Sequence, residues 1–121
     1  MQSVKGIGGV FLRARDSDAL RAWYAKNLGI DIDPGWGGTT FADRKDGFAV
    51  WALFEPDTEY FGRPDQMFMV NYRVDDLDAM LEQLRAGGAE VVEHIEESET
   101  GRFGWAIDPE GNRFELWQPP A

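Results

Sequence analysis

The stretch GGVFLRARDSDALRAWYAKNLGI, residues 8–30, reads as a strand that runs into a capped helix. Val10, Phe11 and Leu12 supply the β-branched and aromatic bulk of an extended run from Ile7 to Arg15. Asp16 or Ser17 then offers a side-chain oxygen to the unpaired N–H groups of a helix start. Leu20, Trp23, Tyr24 and Leu28 recur at the spacing of one helical face, and Gly29 follows as a C-terminal stop. Gly8 and Gly9 lie inside the strand, where glycine is unfavourable, so something there must favour the missing side chain.

The same grammar returns in MVNYRVDDLDAMLEQLRAGGAEV, residues 69–91. An extended run, Met67 to Val74, precedes Asp76; Leu77, Met80, Leu81 and Leu84 form the apolar stripe, and Gly87-Gly88 ends it. A shift of 60 residues places Asp16 on Asp76, Asp18 on Asp78, Ala19 on Ala79 and Leu20 on Met80. Strand-like segments follow both helices, Gly29 to Asp33 and Ala89 to His94. Each half then closes with a hairpin. In the second half, Phe103 to Ile107 leads through Asp108-Pro109-Glu110-Gly111 into Asn112 to Trp117; Asp starts the turn, Pro fixes φ and Gly permits φ > 0. In the first half, Thr39 to Ala42 leads through Asp43-Arg44-Lys45-Asp46-Gly47 into Phe48 to Phe54.

The chain is therefore expected to be α+β, an internal duplication of βαβββ modules, about 4–54 and 67–118, in one domain of residues 1–121. Each sheet has a helix on one face only, so the economical arrangement turns the bare faces toward each other as a cupped mixed sheet around a cleft. Between the modules, Glu55 to Gln66 reads as a linker; its Tyr60 and Phe61 could instead cap the cleft or a subunit contact.

Composition narrows the function. The 121 residues are 43% hydrophobic, with eight Phe and five Trp, enough for a packed core. No apolar run approaches a membrane span, and Met1 to Lys5 has neither the basic nor the apolar region of a signal peptide, so a cytoplasmic location is expected. The chain has no Cys and one His, which removes disulfides, thiolate nucleophiles and thiolate ligands. A net charge of −10 without a basic run argues against nucleic acid and anionic membranes as partners. A small molecule is the expected partner. Ser3, Ser17 and Ser98 lack a nucleophile-elbow context, and the Gly6 to Gly9 run is no dinucleotide fingerprint because the helix starts too late.

These two strand-to-Asp-to-helix stretches, together with the ending DPEGNRFELWQP at residues 108–119, resemble the vicinal oxygen chelate superfamily of glyoxalases, bleomycin-resistance proteins and extradiol dioxygenases. The resemblance covers nearly the whole chain and implies paired βαβββ modules holding a divalent metal on His, Glu or Gln from four strand positions. Carried over, those positions are Gly9, Met69, Glu115, and Ala52 or Trp51 according to how the hairpins align. Only Glu115 keeps a ligating side chain, whereas a catalytic site ordinarily uses at least three. No metal site and no cofactor are therefore expected. His94, among Glu93, Glu96 and Glu97, reads as a solvated strand end rather than a replacement site.

With strand side chains alternating, the ligand positions define what should line the cleft. These are Ile7, Gly9, Phe11 and Arg13 on the first strand, Met67, Met69, Asn71 and Arg73 on the strand before the second helix, Arg113, Glu115 and Trp117 on the last, with Trp105 from its hairpin partner and Trp51 or Ala52 from the first module. Val10, Leu12, Val70, Tyr72, Val74, Phe114 and Leu116 should face the helices. Expected binding residues are thus Phe11, Arg13, Trp51, Met69, Asn71, Arg73, Trp105, Arg113 and Trp117, a mostly apolar wall with sparse polar groups. The arginines, in a strongly acidic chain, favour a ligand with a carboxylate, phosphate or phenolate-like oxygen. The leading expectation is a metal-independent, bleomycin-resistance-like binding protein. The rivals are a lyase, isomerase or dioxygenase with an unrecognised metal site or with Glu115 as general base, and a structural domain with a filled cleft. The resemblance also implies a homodimer, with modules paired within or between chains.

Overall fold

Asp16 and Asp76 perform the same task in the two halves of the chain. In the computed structural model, Asp16 Oδ1 accepts from the Ala19 N–H at 3.1 Å to start α1 (Ser17–Leu28), and Asp76 Oδ1 accepts from Ala79 N–H at 3.0 Å to start α2 (Leu77–Ala86). Gly29 ends α1 at φ 66°, and Gly87 ends α2 with Gly88 at φ 88° behind it, a left-handed conformation that glycine adopts freely. The structure describes residues 1–44 and 47–121; the turn expected over Asp43 to Gly47 falls partly on Lys45 and Asp46, outside the described residues.

The chain forms two compact units, one of Gly9–Phe68 and one of Met1–Gly8 with Met69–Ala121. In the Gly9–Phe68 unit the strand order is β2 (Gly38–Arg44), β3 (Gly47–Phe54), β1 (Gly6–Arg13, from Gly9 onward). The β2–β3 pair is an antiparallel hairpin, whereas β1 and β3 run parallel, the geometry that needs an intervening helical crossover. The strand expected over Gly29 to Asp33 shrinks to one bridge, Asp33 with Gly38. The face of α1 is also less covered than its spacing implies: Trp23 is 53% and Leu28 61% exposed, and Ser17 is the buried residue of this helix.

Segment 55–66, read as a linker, is instead part of this unit's core. Phe61 is completely buried and meets Phe54 edge-on at 5.2 Å; Tyr60 stacks on Phe54 at 5.1 Å and reaches Phe11 at 6.4 Å. The aromatics fold back onto the end of the strand that delivered them.

In the other unit the order is β4 (Phe68–Arg73), β8 (Arg113–Gln118), β7 (Gly101–Ile107), β5 (Glu90–Val91), with β6 (Glu96–Ser98) also paired to β7. Again the first and last strands are parallel and the rest antiparallel. Here the helix is well covered: Leu77, Met80 and Leu81 pack on Val74 and Leu116, with Tyr72, Leu84, Val91, Ile95 and Phe114 around them. Gly104 permits this approach, since a Cβ there would lie 3.2 Å from Leu81 Cδ1 and 3.3 Å from Leu77 Cδ1. The closing turn forms as its residues require, with Asp108 Oδ1 accepting from the Glu110 and Asn112 N–H groups and Gly111 at φ 86°. Among the described residues no helix is long and apolar enough to cross a membrane.

Candidate functional site

Alternation along β4, β8 and β7 assigns each residue to the helix face or the opposite face. Tyr72, Val74, Phe114 and Leu116 lie with α2, while Met69, Asn71, Arg73, Trp105, Glu115 and Trp117 are buried on the strands' other side. Register makes one row of three: Asn71 pairs with Glu115, and Glu115 with Trp105. Glu115 is 1% and Asn71 3% exposed. Asn71 Nδ2 donates to Glu115 Oε1 at 2.6 Å and Trp105 Nε1 donates to Oε2 at 2.9 Å, so each carboxylate oxygen has a protein donor. A buried carboxylate is tolerated on these terms.

Arginines stand on both sides of this row. Arg73 shares the next register position with Trp117, and the Arg113 guanidinium lies 5.5 Å from the centroid of the Trp105 ring. Trp117 donates from Nε1 to the Thr100 carbonyl at 2.8 Å and stacks on Phe103 at 6.2 Å. His94 lies parallel to Trp105 at 6.0 Å. The expected residues of the second module are thus brought together as one largely buried layer of aromatic rings, two cations and one carboxylate.

The Gly9–Phe68 unit contains the equivalent row with its chemistry removed. Phe11 pairs with Ala52, and Ala52 with Gly38, in the same strand relation as Asn71, Glu115 and Trp105. In this register Ala52 stands in the same strand relation as Glu115, and Trp51 points the other way. Trp51, expected as a binding residue, is instead packed on Tyr24 of α1 at 4.9 Å. The position of Gly38 is covered by the Trp36 indole, whose Cζ3 stands where a Cβ would project.

Arg13 likewise differs from the expectation. Its guanidinium donates to four main-chain carbonyls of segment 55–66, from Nε to Gln66 at 3.1 Å, from Nη1 to Pro56 at 3.0 Å and Thr58 at 2.8 Å, and from Nη2 to Arg63 at 3.2 Å. It also lies 5.2 Å from the Phe61 ring centroid. Arg13 therefore fastens the segment rather than offering its fork to an anion. Ile7, also expected inside, is exposed, as is Val10, which was expected against α1. The hollow beside Arg13 is an open, mainly apolar groove of about 470 Å³ along α1, lined by Ala14, Ala19, Leu20 and Trp23.

The metal positions implied by the superfamily resemblance do not fit a metal. Gly9 cannot take a side chain without displacing β3, because a Cβ would meet the Val50 carbonyl oxygen at 2.5 Å. Ala52 has no donor, Met69 offers a thioether, a poor ligand for hard divalent ions, and both Glu115 oxygens are held by N–H donors. Among the described residues no group of three or more His, Asp or Glu could hold one elsewhere. The resolved carboxylate shifts lie away from this row. The Ser17 hydroxyl, then Arg21, hold Glu55 below its ordinary value; Arg102 holds Asp78 below its own.

Paired strand–helix–hairpin modules with a last-strand glutamate in Phe-Glu-Leu define a vicinal oxygen chelate fold. The chain belongs to the glyoxalase-like domain family, whose model matches residues 9–117. The methylmalonyl-CoA epimerase structure from Mycobacterium tuberculosis is 25% identical, with a TM-score of 0.67 over 98% of this chain and 90% of that one. A methylmalonyl-CoA epimerase solved with methylmalonyl-CoA and ammonium is 20% identical, with a TM-score of 0.74 over 98% and 97%. A structure described as an NAD-dependent benzaldehyde dehydrogenase from Legionella pneumophila is 14% identical, with a TM-score of 0.61 over 93% and 98%. No curated protein sequence matches the chain. Proteins named for unlike reactions share this fold, so the reaction has to be argued from the site.

Proposed function

We propose that this glyoxalase-like protein binds a small organic anion without a metal, with residues 1–121 acting as one functional domain. The observation that carries the reading is the row Asn71, Glu115, Trp105. Its carboxylate, at the one superfamily ligand position that retains a donor, is engaged by two N–H groups rather than left to ligate. The surrounding Trp105 and Trp117 rings supply apolar area, and Arg73 and Arg113 on the same face supply positive charge in a chain of net charge −10. The epimerases of this fold solved with methylmalonyl-CoA or 2-nitronate-propionyl-CoA are instances in which it takes an anionic acyl compound.

The test is a thermal-shift screen of purified protein against nickel, zinc, cobalt, manganese and iron(II), and against a panel of carboxylates, acyl thioesters and phenolates. The reading expects no metal to stabilise the fold and at least one anion to do so, with the anion's effect lost in Arg73→Met. A stoichiometric metal whose removal destabilises the protein would overturn it. The catalytic alternative is a lyase, isomerase or dioxygenase, and in its metal-free form it rests on Glu115 as a general base. Exchange of an acidic C–H of the bound compound with deuterium, abolished by Glu115→Gln, would favour that form.

A further inference from the structure

Asn71 presents its amide N–H to Glu115, Nδ2 donating to Oε1 at 2.6 Å. Its Oδ1 is consequently turned the other way, where it is buried and has no hydrogen-bond partner among the described residues. It faces Gly8: a Cβ built on Gly8 would fall on Asn71 Oδ1, 3.1 Å from Asn71 Cγ and 2.9 Å from Trp117 Cε3. Only the Cα hydrogens of a glycine leave room for that oxygen, and they offer it at most a weak C–H contact. All these residues belong to one unit.

We infer that Gly8 is a positioning residue for the Glu115 carboxylate: its missing side chain is what allows the Asn71 amide to stand with its oxygen toward β1 and its N–H toward Glu115. This deepens the reading of Glu115 as the centre of the site and rests on it. It also separates the two neighbouring glycines. Gly9 permits β1 to approach the Val50 carbonyl of β3, a matter of strand spacing, whereas Gly8 decides the orientation of a polar side chain.

The experiment reads the geometry directly and uses no ligand, so its failure leaves the binding proposal standing. Trp105 Nε1 donates to Glu115, and its indole N–H signal in a nitrogen–proton correlation spectrum, assigned by loss in Trp105→Phe, reports the position of that carboxylate. Gly8→Ala should move this signal in the same direction as Asn71→Ala. In the Asn71→Ala background Gly8→Ala should leave it where it is. An unmoved signal in the single variant, or an equal movement in both backgrounds, would overturn the inference, the latter by assigning the effect to Trp117. If Gly8→Ala alone does not fold, the double variant decides. A folded double with the Asn71→Ala spectrum supports the inference, and an unfolded one overturns it.

Discussion

Asn71 and Glu115 sit opposite each other on the parallel strands β4 and β8, joined by a 2.6 Å hydrogen bond with both side chains almost fully withdrawn from solvent. Removing one member of such a buried pair strands the other, which is costlier than the pair's net worth suggests. Asn71→Ala and Glu115→Gln should each lower stability by about 1–3 kcal/mol in urea or guanidinium unfolding. Their double variant should lose less than the sum. A fully additive result would show that the two side chains are energetically independent.

Arg13 predicts a different failure. Replacing it with Met keeps length but deletes donors to four carbonyls between Pro56 and Gln66. The expected outcome is a loss of about 1–3 kcal/mol, since one buried and three partly buried hydrogen bonds are lost together, with new protease cuts confined to 55–66. Arg13→Lys should rescue poorly because an ammonium cannot span that set of acceptors.

The helices should respond unequally to truncation. Leu81→Ala removes a side chain from the α2 core and should cost about 2–5 kcal/mol. Leu28→Ala, on the exposed end of α1, should change unfolding by less than about 0.5 kcal/mol. Equal losses would mean that the α1 face is covered in solution.

Acid should loosen segment 55–66 through Glu55. Glu55 is held below 4.5 by the Ser17 hydroxyl and Arg21, so its favourable contribution is present at neutral pH and fades as pH falls through that lowered value. Glu55→Gln should remove this part of the pH dependence while leaving that of Asp78, held below 3.8 by Arg102. Protease susceptibility of the segment between neutral pH and pH about 3.5 measures it.

Much of this was legible in the residues. Asp16 and Asp76, with the spaced leucines and following glycines, announce both helices, and Asp108 to Gly111 announces the final hairpin, because caps and tight turns are local interactions. Arg13 was not legible, since its acceptors are carbonyls 43 to 53 residues away and a carbonyl leaves no mark in sequence. The burial of Phe61 was hidden for another reason: it depends on a fold-back onto Phe54 within a segment rich in Pro, Gly and acids that reads as exposed. The choice between Trp51 and Ala52 needed a register that only strand pairing supplies. The adjacent glycines signalled close approach, yet which neighbour approaches each one depends on packing.

The two matching rows have a consequence for how this protein can change. Asn71, Glu115 and Trp105 in one unit correspond to Phe11, Ala52 and Gly38 in the other. Two like strand arrangements are thus chemically unlike. The first row holds a charge and hydrogen bonds between its side chains, whereas the side chains of the second hold neither. Asn71 and Glu115 are joined by a hydrogen bond, so a change at one alters what is tolerated at the other, whereas Phe11 and Ala52 carry no such tie.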